Sequence, residues 1–165
     1  MHSTDVLRAA TVFLHSALED FLRSLSKMLT PTSINEQKLN AVPLPGLGGR
    51  AEKFFLGKLV AFRGKTVDEI IDTAISEHLD GISYNNVGEV KLCLRGLAID
   101  PDNIPIDYGM LEEMIKRRHH IVHQADRNDS PGRGQHSTRS ISITTVRDWR
   151  QNVELLVNEV VLALP

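Results

Sequence analysis

The chain holds one cysteine, Cys93, in 165 residues. An intramolecular disulfide is therefore excluded, and the usage suits a reducing compartment. Charge of one sign is also missing, because 19 Lys and Arg stand against 21 Asp and Glu. No general nucleic-acid signature follows, so any basic patch must be local. No apolar run approaches the roughly 18 residues of a membrane span. The N-terminus lacks the charged-then-apolar pattern of a secretion signal. A soluble, cytoplasmic protein with no membrane partner is expected. There is no internal repeat and no low-complexity segment. A phosphate-cradling loop is absent too: Gly46-Leu47-Gly48-Gly49 lacks the preceding strand and the following Lys, and reads as a plain loop. His119 and His123 have the spacing of a zinc-protease helix. His120 stands where that motif needs its acid, and no further cluster offers a clear third ligand, so no metal and no cofactor are expected.

What is there reads as helix. With 41% apolar and 24% charged residues, 1–165 is expected to form a single domain with a real core. Ser3 or Thr4 can cap a first helix running to about Leu29, with the stripe Val6, Ala10, Phe13, Ala17, Phe21, Leu25 and Met28. Pro and Gly punctuate a long loop over 33–49. Ala51, Phe54, Phe55, Leu59 and Phe62 mark a second helix. Thr66 to Glu69 reads as a capping box before a third, closed at Asp80-Gly81, and Asn86 to Glu89 as another before a short fourth. Asp107 should cap the fifth. A polar loop follows Asp126, and Ser140 to Ile143 alternates like a strand too short to build a sheet alone. Thr145 then opens a last helix with the stripe Val146, Trp149, Val153, Leu156 and Val160. Cys93 and Trp149 read as core. The sum is an all-α bundle of five to six helices.

The fifth helix carries the stretch Lys116-Arg117-Arg118-His119-His120-Ile121-Val122-His123-Gln124-Ala125-Asp126. At about 100° per residue, Leu111, Met114, Ile115, Ile121, Val122 and Ala125 all fall within roughly 60° of Arg118. Arg118 thus stands in the middle of the apolar face, where an unpaired charge costs several kcal/mol or more. It needs an anion, a water-filled groove or a second chain. Glu112, His119, His123 and Asp126 form a separate row on one flank, at spacings that stack side chains. A carboxylate in such a row, Asp126 or Glu112, can orient and tune an imidazole.

Two readings fit Arg118 and His123. One is a buried salt-bridge network that fixes a helix pair. The other is phosphodiester cleavage, in which an imidazole moves a proton near neutral pH and a guanidinium neutralises charge developing on phosphate. RNA carries its own nucleophile in the 2′-hydroxyl, so that chemistry needs no metal. On one regular helix the Arg118 and His123 directions diverge by about 140°. Two copies about a two-fold axis can bring both pairs to one groove.

Arg118-His119-His120-Ile121-Val122-His123 resembles the HEPN motif, an Arg and a polar residue followed at short spacing by a His. The long first helix, the Asn85-Asn86…Gly88-Glu89 stretch, the motif late on a helix and the closing helix agree with it. The first-helix text and 64–90 look most like the bacterial subgroup associated with L-PSP-type ribonucleases. The resemblance covers most of the chain. It implies an all-helical homodimer with the two motifs facing across a cleft. It also implies a metal-independent endoribonuclease in a toxin–antitoxin or phage-defence setting, with RNA as substrate and an antitoxin protein as partner. Arg118 would contact the scissile phosphate and His123 would be general acid or base. His119 would take the polar position after the Arg. Lys116, Arg117 and Arg127 would bind substrate, with Asp126 and Glu112 supporting. The alternative within the same family is a non-catalytic helical dimer that binds protein or RNA as an adaptor.

Overall fold

In the computed structural model, residues 3–30, 39–40, 42–44, 56–127 and 138–164 are described. Among them are five α-helices, two 3-10 segments and no strand. The helices are α1 (Ser3–Leu29), α2 (Val67–Asp80), α3 (Val87–Gly96), α4 (Tyr108–Gln124) and α5 (Ile143–Leu162). The 3-10 segments are Leu56–Phe62 and Pro101–Asn103. The chain divides into two compact units, Met1–Leu22 with Ser83–Pro165, and Arg23–Ile82, so α1 contributes residues to both.

The all-helical class is as expected, but α1 buries a different face from the one its apolar spacing suggested. Val6, Phe13 and Met28 are exposed, Phe13 at 73%. Leu25 of the expected stripe is buried, but Thr11, His15, Leu18, Leu22 and Ser26 are buried with it. The reason is polar satisfaction. Thr11 Oγ1 donates to the Leu7 carbonyl at 2.9 Å, and His15 Nε2 bonds the Tyr84 carbonyl at 3.1 Å. A hydrogen-bonded polar group can go inside at modest cost, and a stripe drawn through apolar letters alone misses it.

In the unit Arg23–Ile82, the Thr66 capping box forms as read. The Thr66 hydroxyl accepts from the Glu69 N–H at 3.2 Å, and the Glu69 carboxylate accepts from the Thr66 N–H at 2.6 Å. The Thr66 N–H, and after it the Thr66 hydroxyl, which donates to the same carboxylate at 3.0 Å, hold the Glu69 carboxyl below its ordinary range. Ala74, Ile75 and Leu79 of α2 are buried. Arg23 reaches the carbonyls of Leu79 and Ile82 at 3.2 and 3.0 Å, satisfying the end of that helix. The expected second helix is a 3-10 turn where it is described, and its first five residues lie outside the described residues, as does most of the loop at 33–49.

In the other unit, Tyr84 is 1% exposed and its backbone is tied to α1 twice, through His15 and through Glu19, which accepts its N–H at 3.3 Å. Asn86 caps α3 by accepting the Glu89 N–H at 2.9 Å. The return bond lands one residue earlier than a capping box requires, from Asn85 N–H to Glu89 at 2.6 Å. Asp107 caps α4, and its own peptide groups are clasped by Asn152 of α5 at 3.0 and 2.9 Å. Leu111, Met114 and Ile115 of α4 and Trp149, Val153, Leu156 and Val160 of α5 are all buried, and the two helices are in contact. Cys93 is only half-buried, its Sγ 3.8 Å from the Tyr84 hydroxyl. α5 starts at Ile143 with Ser142 as cap, its hydroxyl accepting the Thr145 N–H at 3.0 Å. The expected short strand is thus replaced by an earlier helix start, and among the described residues the pairing nearby is one isolated bridge, Arg127 to Thr138.

Candidate functional site

The apolar face of α4 leaves the core at Arg118. Leu111, Met114 and Ile115 are fully covered, whereas Ile121 is half-buried and Val122 is 48% exposed. The second half of the expected stripe is therefore surface. Ile121, Val122, His123, Gln124, Ala125 and Arg127 line an open recess of about 500 Å³ there.

Three consecutive cations at this point have three different fates. Lys116 is exposed and pairs with Glu112 one turn back at 3.2 Å. Arg117 turns inward to Asp126 at 2.8 Å and to the carbonyls of Arg139 and Ser140 at 2.8 and 3.0 Å. Arg118 is half-buried and makes no hydrogen bond or ion pair among the described residues, and its Nε is shut away from solvent without a partner.

Beside Arg118 lies His15, wholly buried. Burial pushes its pKa below the usual histidine value; Glu19 and the Tyr84 carbonyl oppose that shift, and the Arg118 charge adds to it. His15 is accordingly neutral, with Nε2–H donating to Tyr84. Its Nδ1 is left 3.5 Å from the Glu19 carboxylate without a hydrogen bond.

The three histidines of the motif lie along the outer side of the last two turns. The rings of His119 and His123 are stacked at a tilt, centroids 4.5 Å apart, and both residues are exposed. His119 meets His120 edge-on at 6.4 Å, and His120 Nδ1 shares a 2.6 Å hydrogen bond with Gln124 Oε1. The end of α4 thus presents two imidazoles in mutual contact at the surface.

Asp126 does not join that row. The helix ends at Gln124, and Ala125 and Asp126 both take left-handed backbone, φ 49° and 53°. Both N–H groups turn back to the His120 carbonyl, Asp126 at 3.0 Å. The turn carries the Asp126 side chain inward, where it is 1% exposed and accepts Arg8 Nε and Arg117 Nη2 on one oxygen, each at 2.8 Å. The register expected to stack it on His123 ends before reaching it. Glu112 is likewise taken elsewhere. It accepts the Val87 N–H at 2.9 Å, and that bond, with Lys116, holds its carboxyl below the ordinary range. Among the described residues neither carboxylate hydrogen-bonds a motif imidazole.

Of the residues singled out from sequence, Arg118, His119 and His123 share the end of α4, and Arg127 is exposed beside His123. Arg117 is engaged internally. A second recess of about 450 Å³ runs along the other side of α4, between Lys116, His120, Arg139 and the start of α5. Arg8 and His15 escaped the sequence reading. The one signal for His15 is its place between Thr11 and Glu19, four residues from each, and Arg8 gave none.

Comparison with known protein families matches residues 2–164 to the family described as RiboL-PSP-HEPN. No curated protein and no solved structure matches the chain.

Proposed function

Because the chain belongs to the RiboL-PSP-HEPN family, we propose that it is a metal-independent endoribonuclease whose site is completed by a second copy of itself. The observation that carries this reading is the state of Arg118. A half-buried guanidinium with a sealed, unpartnered Nε is unfavourable in the free protein. Its donors are unspent, unlike those of Arg117. A phosphodiester presents two non-bridging oxygens that the planar guanidinium fork is built to hold.

The chemistry follows from the groups present. An imidazole of one His123 takes the proton of the ribose 2′-hydroxyl, whose oxygen attacks the adjacent phosphorus. Arg118 neutralises the charge that builds on the phosphoryl oxygens. The P–O5′ bond breaks, and the protonated His123 of the second copy returns a proton to the leaving oxygen. The products are a 2′,3′-cyclic phosphate and a 5′-hydroxyl. His119, in contact with His123, orients it. Arg127 and Lys116, exposed on either side, guide the strand. The apolar seam of α1, with Val6 and Phe13 exposed, offers surface for the second copy. A toxin–antitoxin or phage-defence setting, with an antitoxin protein covering the site, is consistent with the family.

The test is cleavage of labelled RNA in EDTA by the wild type and by His123→Ala. The wild type is expected to cut and the variant not to. If both are inert, or both cut equally, the catalytic reading is wrong and the chain is an adaptor built on the same fold.

A further inference from the structure

Two non-glycine residues in succession, Ala125 and Asp126, hold left-handed backbone immediately after the motif. That conformation crowds Cβ against the following carbonyl, and L residues adopt it at a cost. Such a pair persists where surrounding contacts over-determine it. Here the contacts converge on Asp126. Arg8 of α1 and Arg117 of α4 both reach its Oδ2 at 2.8 Å. Its carbonyl accepts the Arg139 N–H at 2.9 Å. The Arg139 carbonyl in turn takes Arg8 Nη2 at 3.0 Å and Arg117 Nη2 at 2.8 Å. The cluster ties together the start of the chain, the motif helix and the strand of backbone leading into α5.

The strained turn acts on a specific place. Both its N–H groups bond the carbonyl of His120, inside the turn that carries His119 and His123. Released, the last turn of α4 would fray, and the 4.5 Å contact between the two rings would loosen. We infer that the Arg8–Asp126–Arg117 cluster is a positioning device for the motif histidines: it forces the left-handed turn that fixes where His119 and His123 point. Asp126 acts through the backbone, touching neither ring. Stability alone is a weak reason for such a cluster, since a buried ion pair often adds no more than apolar packing would. The unpartnered Asp126 Oδ1 and Arg117 Nε show that the packing around it is not optimised for hydrogen bonding.

This rests on the ribonuclease reading only for its kinetic arm. The experiment uses the full chain as Asp126→Asn, with Arg8→Gln as the milder variant that leaves Arg117 paired. It reads the His119 and His123 ring signals by NMR without RNA, melting temperature, and kcat and KM on an RNA oligonucleotide. Both variants are expected to move or broaden the two ring signals while the protein stays folded. In Asp126→Asn kcat should fall on the order of 100-fold, the effect of misplacing a reacting group by about 1 Å, with KM little changed. Adding Ala125→Gly should restore part of the kcat, because glycine adopts the turn without strain; a role in stability alone would give no such rescue. Ring signals unmoved in a folded Arg8→Gln or Asp126→Asn would overturn the inference, as would unchanged kcat. If the wild type cuts no RNA yet the signals move, the ribonuclease reading fails and the positioning role stands.

Discussion

Replacing Arg118 with Met should stabilise the protein while abolishing cleavage. The side chain is half-buried, with Nε sealed and unpartnered. A buried unsatisfied donor costs ~1–3 kcal/mol. The rest of the guanidinium keeps some water, so the lower end applies. Methionine preserves the aliphatic length of the half-buried side chain and removes the stranded group, for a gain of ~1 kcal/mol. In a chain of this size that raises Tm by ~2–4 °C. Cleavage should drop by ~100–1000-fold, the loss expected when one preorganised donor to a transition-state oxyanion is removed.

The two neighbouring cations make the internal control. Arg117→Met leaves Asp126 half-neutralised in a site where the two side chains are 16% and 1% exposed. Breaking a buried pair costs ~3–5 kcal/mol. Lys116→Met removes one exposed pair and should change stability by less than ~0.5 kcal/mol. Three adjacent substitutions, identical in the residue introduced, are thus expected to raise, lower and leave unchanged the melting temperature. Thermal unfolding by circular dichroism measures all three. A lower Tm for Arg118→Met would mean that the guanidinium is a structural brace, and the argument from its unspent donors would fail.

His15 is neutral in the fold and its pKa is lowered, chiefly by burial. Above about pH 6.5 the folded and unfolded chains are both unprotonated there. Below it the unfolded chain gains a proton that the fold refuses, so stability should fall from pH ~6.5 downward toward the folded pKa. His15→Gln should flatten that part of a pH-dependent denaturant series, and an unchanged slope would remove His15 as its source. Arg118→Met should raise the His15 pKa, because the Arg118 charge helps hold it down; an NMR titration reads the shift. Ser142→Ala should cost ~1 kcal/mol by uncapping α5, and no loss in chemical denaturation would place the helix start at Thr145 after all. Light scattering should give twice the 18.4 kDa of one chain, and a monomer at micromolar concentration would count against a site shared between copies.

The helix caps were legible because they are local. Thr66, Asp107 and the break after Leu29 need only their own neighbours to act, and each stands where its letters put it. What the sequence hid are the places where a polar group goes inside. The phase of α1 is not legible from apolar letters because Thr11 and His15 look like solvent residues until the Leu7 and Tyr84 carbonyls are in place. Helical spacing would stack Asp126 on a histidine only if the helix ran on past Gln124; Ala125 is not a glycine, and nothing local announces a left-handed turn. Arg8 could not be found at all, since its partner lies 118 residues away. Arg118 is the exception. Its stranding is readable because it depends on the absence of an acid three or four residues away, where Met114, Ile115, Ile121 and Val122 stand, and because Glu112 and Asp126 are both engaged elsewhere. That sequence can show a charge without a partner more readily than it can show which partner a charge has chosen is why the motif arginine was visible early and the clamp that positions its histidines was not.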